Sequence, residues 1–204
     1  KNIILGGNML LSKRPEMFLP DMWPSYFSKS KNIDVWDLDK NRYIDFIFAV
    51  GQSTLGYSNS IIDKKVSKSI KRGNMTTFNC PEEVELSKKL IELHPWANMC
   101  KFARSGGEAN AIAIRIARAA SRKDGVAICG YHGWHDWYLS VNLRGKDKLS
   151  QHLLSGLDPN GVPKNLKNTV HPFNYGNINQ LKKIIKNKNI GVIKMEVARN
   201  SLPD

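Results

Sequence analysis

Cysteine is scarce in this 204-residue chain, and the three present, Cys80, Cys100 and Cys129, stand far apart. Their spacing offers no Cys-x-x-Cys metal or redox pair and suits a reducing compartment. No apolar run approaches the roughly 20 residues of a membrane span, so no membrane partner is expected. The opening KNIILGGNMLL has a short apolar patch broken by two glycines and carries no cleavage pattern. A cytoplasmic location fits these absences. Acidic residues are also few: 18 Asp and Glu face 31 Lys and Arg, which leaves a net charge of +13. There is no GxxxxGK[ST] phosphate loop, no GxGxxG and no HExxH, so the P-loop, dinucleotide and zincin signatures are all excluded.

What is present begins with the basic excess. Lys64, Lys65, Lys68, Lys71 and Arg72 lie on one segment, and Lys182, Lys183, Lys186 and Lys188 on another. Neither interleaves aromatics with its charges, as single-strand binders do. The excess therefore reads as solvated faces. A basic module for nucleic acid or acidic polymers is the alternative from another class. The length suits one ordinary domain, or one and a half small ones. The chain starts without Met and stops at Ser-Leu-Pro-Asp just after an apolar run, so a piece of a longer protein is expected.

Residues 33–48, IDVWDLDKNRYIDFIF, read as a hairpin with its turn at Asp39-Lys40-Asn41 and a return strand over 43–48. Residues 59–72 read as a helix with Ile61, Ile62, Val66 and Ile70 on one face. Pro81 opens a second helix in which Leu86, Leu90 and Leu93 face inward, and His94-Pro95 ends it. A strand over 99–103 follows, then a turn at Arg104-Ser105-Gly106-Gly107. A helix over 108–122 buries Ile112 and Ile116, and a short strand covers 126–129. Residues 144–169 are a polar excursion. Asn177 and Gln180 mark a helix start, and residues 190–195 form a buried strand ending at Glu196. This alternation predicts an α/β domain with a mainly parallel sheet, whose ligands sit at the carboxyl ends of its strands.

Three features fall at such ends. Ser105-Gly106-Gly107 opens a helix, where free N–H groups and a partial positive charge suit a phosphate. The stretch GYHGWHDWY, residues 130–138, concentrates rings in a chain with only 9% aromatics. Three readings compete for it. His132, His135 and Asp136 could be metal ligands, although no partner cluster stands elsewhere. Trp134, Trp137 and Tyr138 could be core, and that reading is adopted for those three. Tyr131-His132, held between Gly130 and Gly133, could be a platform for a flat ring. Glu196 ends a different strand and could hydrogen-bond nearby. Phosphate grip plus ring platform fits a phosphorylated aromatic cofactor.

These residues, with others in the same order, resemble the class III aminotransferases, the glutamate-1-semialdehyde aminomutase-like pyridoxal-phosphate enzymes. VWDLDKNRYIDF at 35–46 resembles the family's opening hairpin, Leu55-Gly56-Tyr57 its "LGH" turn and Ser105-Gly106-Gly107-Glu108-Ala109 its "SG[TS]EA" phosphate loop. Tyr131-His132-Gly133 resembles its "YHG", whose ring stacks on the cofactor, and Met195-Glu196 its "E-P" strand end. CGYHGWHDWY, with Gly6-Gly7 and Ser12-Lys13-Arg14-Pro15, looks most like aminotransferases of polysaccharide and nucleotide-sugar gene sets.

The resemblance implies a fold-type I scaffold with an incomplete, mainly parallel sheet. Residues 1–78 would be a small-domain hairpin and helix, and 79–204 the first part of the large domain. It implies pyridoxal 5'-phosphate held by Ser105, Gly106, Gly107, Tyr131, His132 and Glu196, with no metal. It also implies transamination between a small amino donor and a carbonyl acceptor, or the aminomutase reaction, and a homodimer. Gly107 stands where the family carries Thr or Ser, Val197 where it carries Pro, and Ala49-Val50 where aminomutases carry Ser-Trp, which favours a transaminase. The Schiff-base Lys and the pyridinium-binding Asp are expected beyond Asp204, so the 204 residues are expected to be inactive alone.

Overall fold

The computed structural model describes residues 3–73, 75–145 and 158–197. The chain divides into two compact units, Lys1–Val84 and Glu85–Asp204, and the division falls inside the helix Pro81–Leu93.

The first unit holds an antiparallel sheet of β1 (Phe27–Lys31), β2 (Asp34–Asp37) and β3 (Arg42–Ile44), in the order β1-β2-β3. Its tight turn is closed by one carboxylate. Asp37 accepts from the Asn41 N–H at 2.8 Å, from Asn41 Nδ2 at 3.0 Å and from the Tyr43 hydroxyl at 3.1 Å. The return strand ends at Ile44 rather than continuing to residue 48. Asp45 is the reason: its Oδ1 accepts from Ile47 N at 2.7 Å and Phe48 N at 3.1 Å, which takes the backbone away from the ladder. The chain then makes a single turn, α1 (Phe48–Gly51), with Ala49 and Val50 left-handed at φ 51° and 62°.

Helix α2 (Ser60–Arg72) is capped by Asn59, whose side chain accepts from Ile61 N and Ile62 N. Helix α3 (Pro81–Leu93) starts at its proline and is closed by His94, whose Nδ1 lies 2.8 Å from the Leu90 carbonyl oxygen. Leu86 and Leu93, expected to face inward, are largely exposed. Spacing fixes which face of a helix is apolar, and not whether another element covers it. The expected strand over 99–103 is absent: these residues lie outside any helix or strand, with Met99 exposed. A strand exists only through a partner, and none of the described strands pairs there.

The second unit is built on β4 (Gly125–Cys129), β5 (Val170–Pro172) and β6 (Ile190–Met195), all parallel, in the order β5-β4-β6. β4 is central and buried along its whole length, as an uninterrupted GVAIC run requires. Its alternate side chains enter two cores. Val126 and Ile128 pack with Ile114 of α4 (Gly106–Ser121), with Trp137 and Tyr138 of α5 (Asp136–Leu139), and with Val141 and Val170. Ala127 and Cys129 pack with Phe173 and with Leu181 and Ile184 of α6 (Ile178–Asn187). Helices thus cover both faces.

On α4 the expected burial of Ile116 is corrected, while Ile112 is half-buried. Ile114 is buried with Ala111 beside it, while Ile116 is exposed. The run AIAIRIA offers apolar residues on several faces, and contact with the sheet selects one. Strand β5 was not foreseen, since it is three residues long, contains Pro172 and follows the polar excursion. Of that excursion, residues 146–157 lie outside the described residues. Asn177 caps α6 as its spacing predicts, accepting from Gln180 N at 2.9 Å. Among the described residues, no helix is long and apolar enough to cross a membrane.

Candidate functional site

The turn before α4 is organised by two side chains. Ser105 Oγ accepts from Glu108 N at 3.2 Å, and the Glu108 carboxylate reaches back to accept from Arg104 N at 2.7 Å. This is a capping box shifted by one residue. It satisfies the third N–H of the helix and leaves those of Gly106 and Gly107 without a partner among the described residues. Free amides at the positive end of a 16-residue helix are groups to which an anion is attracted. A Cβ on Gly106 would meet nothing, so its surroundings are open.

The loop after β4 is seated against this turn. A Cβ on Gly133, whose φ is +101°, would lie 3.0 Å from the Gly107 Cα. A Cβ on Gly107 would lie 2.7 Å from Cε1 and 2.8 Å from Nδ1 of His135. Asn110, one turn along α4, donates from Nδ2 to the His132 carbonyl at 3.1 Å. Two glycines back to back and one amide bridge thus fasten the β4 loop to the helix start.

Within that loop the two candidate residues point in different directions. Tyr131 is 45% exposed, with its ring edge-on to Tyr138 at 6.3 Å and 84°. Tyr138 is fully buried, and its hydroxyl donates to the Gly130 carbonyl at 2.9 Å. An open ring therefore stands on a fixed one. His132 turns inward: it is 3% exposed and donates from Nε2 to the Cys129 carbonyl at 3.0 Å, with its ring stacked against Trp137. It shapes the loop from below.

Burial, followed by the nearby positive charge of Lys194, holds His132 below the ordinary imidazole range. Burial likewise depresses His171, next to Arg144. A depressed folded-state value means that the unfolded chain takes up the proton first. The stabilisation is full above the unfolded value of about 6.5 and is lost as pH falls through the folded one. The thermal unfolding midpoint should therefore drop as pH is lowered from about 7 to about 5, and less so in His132→Gln. A midpoint flat across that window would contradict the buried neutral imidazoles.

Glu196 follows β6. Its N–H donates to the Cys129 carbonyl at 3.1 Å, and its side chain lies over Gly130, where a Cβ would come within 2.7 Å of the carboxyl carbon. Ser105, Gly106, Gly107, Tyr131 and Glu196 are thus gathered around the carboxyl ends of β4 and β6 and the start of α4, with His132 beneath them. His132 is committed to a carbonyl, and the described residues hold no group of three potential metal ligands. Trp134, expected in the core, is 66% exposed and stacks on His135, whereas Trp137 and Tyr138 are buried. Asn110 and the role of Tyr138 were missed. A lone polar residue in the alanine-rich face of α4 was the available signal for Asn110.

A family model described as aminotransferase class-III matches residues 20–198. The 3-aminobutyryl-CoA aminotransferase of Cloacimonas acidaminovorans is 35% identical over 188 residues, which is 91% of this chain and 41% of the relative. A glutamate-1-semialdehyde 2,1-aminomutase of Methanocaldococcus jannaschii is 36% identical over 182 residues, 85% of this chain and 39% of the relative. In three dimensions the chain superposes on an omega-transaminase from Sphaerobacter thermophilus with a TM-score of 0.79 at 19% identity, covering 96% of this chain and 44% of that one. The chain spans about two-fifths of the length of the curated relatives it matches.

Proposed function

The chain belongs to the class-III aminotransferases, and on that premise we propose that it is the cofactor-seating portion of a pyridoxal-phosphate-dependent transaminase. The observation that carries this reading is the contact of Gly133 with Gly107, which joins a ring-bearing loop to an open helix start. A phosphate anchor and an aromatic face on one rigid support are what a flat, phosphorylated ring requires. The residues fit that group: two glycine amides are free, Gly106 is open to space, and Tyr131 stands exposed over a buried partner.

Gly106 and Gly107 would hold the phosphate through their N–H groups, and Tyr131 would lie along the pyridine ring. Asn110 and Tyr138 keep the loop in register with the helix, through the His132 and Gly130 carbonyls. Glu196, packed on Gly130, sets one margin of the seat. Ser105 and Glu108 tie up their own backbone neighbours, so the cradle amides stay available. The cofactor, when bound, supplies an electron sink for charge developing at the carbon bearing the amino group. We assign the amine that exchanges with substrate, and the acid at the ring nitrogen, to polypeptide beyond these residues. The 204 residues alone should bind without turning over. The resemblance at 129–138 points to a sugar- or polysaccharide-related substrate, the parent enzyme being cytoplasmic and homodimeric, and the aminomutase reaction is the competing assignment.

Equilibrium dialysis against pyridoxal phosphate tests the reading. Tyr131→Ala should lose the stacking term, about 0.5–1.5 kcal/mol beyond buried area, which is roughly twofold to tenfold in affinity. Unchanged affinity would remove that ring from the site, and no binding by the unaltered protein would overturn the function.

A further inference from the structure

The excursion that leaves β4 after Cys129 is tied down along its length. Asn110 holds the His132 carbonyl, and Tyr138 holds the Gly130 carbonyl. A third tie closes its far end. Arg144 is the last residue of the short 3-10 helix Ser140–Arg144, and its Nη1 lies 3.1 Å from Nδ1 of His171 in β5. That helix follows directly on α5, buries Ser140, Val141 and Asn142, and sets Val141 in one core with Val170 and Tyr138. His171 is only 4% exposed. The pair therefore fastens the end of the excursion to an outer strand of the sheet.

Its chemistry allows one protonation state. A guanidinium offers donors only, so Nδ1 has to accept and must be bare. The proton then sits on Nε2, where a hydrogen bond to the Asn168 backbone holds it. An imidazolium has no acceptor left, and a proton on Nδ1 would set donor against donor. The charged groups that face this ring are Arg144 from the 3-10 helix and Lys188 from the end of α6. Both are cations, and neither offsets a new positive charge. The other buried imidazole, His132, answers to Lys194 and Glu196 instead.

We propose that the Arg144–His171 pair is a pH-sensitive buckle: neutral His171 keeps the far end of the excursion closed, and mild acidification releases it and loosens the loop that carries Tyr131. Release reaches that loop through Val141 and Tyr138, because Tyr138 also backs Tyr131. The cofactor part rests on the function proposed above, and the buckle itself does not. Burial and the two cations hold the imidazole below its ordinary value, which is about 6.5. The buckle is closed above that value and opens as pH falls through the lower one.

Hydrogen exchange of amides 140–145 tests it, expressed as protection against the unstructured chain at the same pH. The two conditions are about pH 7.5 and about pH 5, on either side of the imidazole range. The unaltered protein should lose about tenfold protection at the lower pH, as loss of a hydrogen bond to a charged group implies, while β4 stays protected. His171→Gln supplies an acceptor that does not titrate and should stay protected at both. Arg144→Met should be open at both. The loss of pyridoxal-phosphate affinity on acidification should be smaller in His171→Gln than in the unaltered protein. If His171→Gln opens with acid as the unaltered protein does, another group titrates and the proposal fails. It fails equally if the unaltered protein never opens, or if Arg144→Met is fully protected at the higher pH. Exchange that follows the pattern while affinity falls alike in both proteins would overturn the link to the ring seat. No pyridoxal-phosphate binding at either pH would instead strike at the function, with exchange still deciding the buckle.

Discussion

Tyr138→Ala should destabilise the protein by about 3–5 kcal/mol, the range for emptying a buried aromatic site. Tyr138 has no exposed surface and packs in the core with Val126, Ile128 and Val141. Against a total stability of about 5–15 kcal/mol, that loss is severe. Two variants separate packing from hydrogen bonding. Tyr138→Phe keeps the ring and removes only the donor to the Gly130 carbonyl, at about 0.5–1.5 kcal/mol for the bond itself. Urea unfolding midpoints of both variants check the ordering. Equal effects would mean that the hydroxyl, not the ring, holds the core. The ring also backs Tyr131, so Tyr138→Ala should loosen cofactor binding as well, through Tyr131 by no more than Tyr131→Ala does.

Gly130→Val should damage stability and binding together. Its φ of +99° lies where L side chains are strained, at about 1–3 kcal/mol. The added Cβ would also fall on the Glu196 carboxyl group. Displacing the Glu196 side chain from Gly130 disturbs one margin of the proposed ring seat. The expected result is a lower unfolding midpoint and loss of most pyridoxal-phosphate affinity. Gly161→Val is the control: its φ of +85° is similarly strained, but a Cβ there meets nothing. It should reproduce the stability loss without the binding loss. Equal binding by Gly130→Val and the unaltered protein would detach Glu196 from the site.

Much of this was legible beforehand, and the physical reasons are specific. The α/β architecture followed from apolar runs at 126–129 and 190–195 separated by a helical period, and its fold-type I character from the resemblance of the ordered motifs. Both runs are parallel strands; the first is buried throughout, whereas the second, expected to be buried, is half-buried with Ile193 and Met195 exposed. Capping by Asn177 and the turn at Asp39-Lys40-Asn41 were readable because each is a local pattern of turn and cap residues. What failed depended on partners distant in sequence. Residues 99–103 are apolar enough for a strand but pair with none of the described strands. β5 is too short and too polar in its approach to announce itself. Trp134 was assigned to the core on composition alone, and the geometry leaves it outside as a cover for His135. In the proposed site, Ser105-Gly106-Gly107 was readable as a turn that opens a helix. Only coordinates revealed that Gly107 is small because an imidazole occupies its side.

The strand order β5-β4-β6 has a consequence for how the polypeptide matures. Val126 is aligned with residues 170 and 192, so the most apolar strand is synthesised first and acquires both its neighbours much later. Until residue 172 has left the ribosome, β4 has two open edges, and one of them stays open until residue 195 follows. Such late, long-range pairing is slow and leaves nascent chains prone to misassembly. Chaperone demand should therefore peak while the segment between Cys129 and Ile190 is being made.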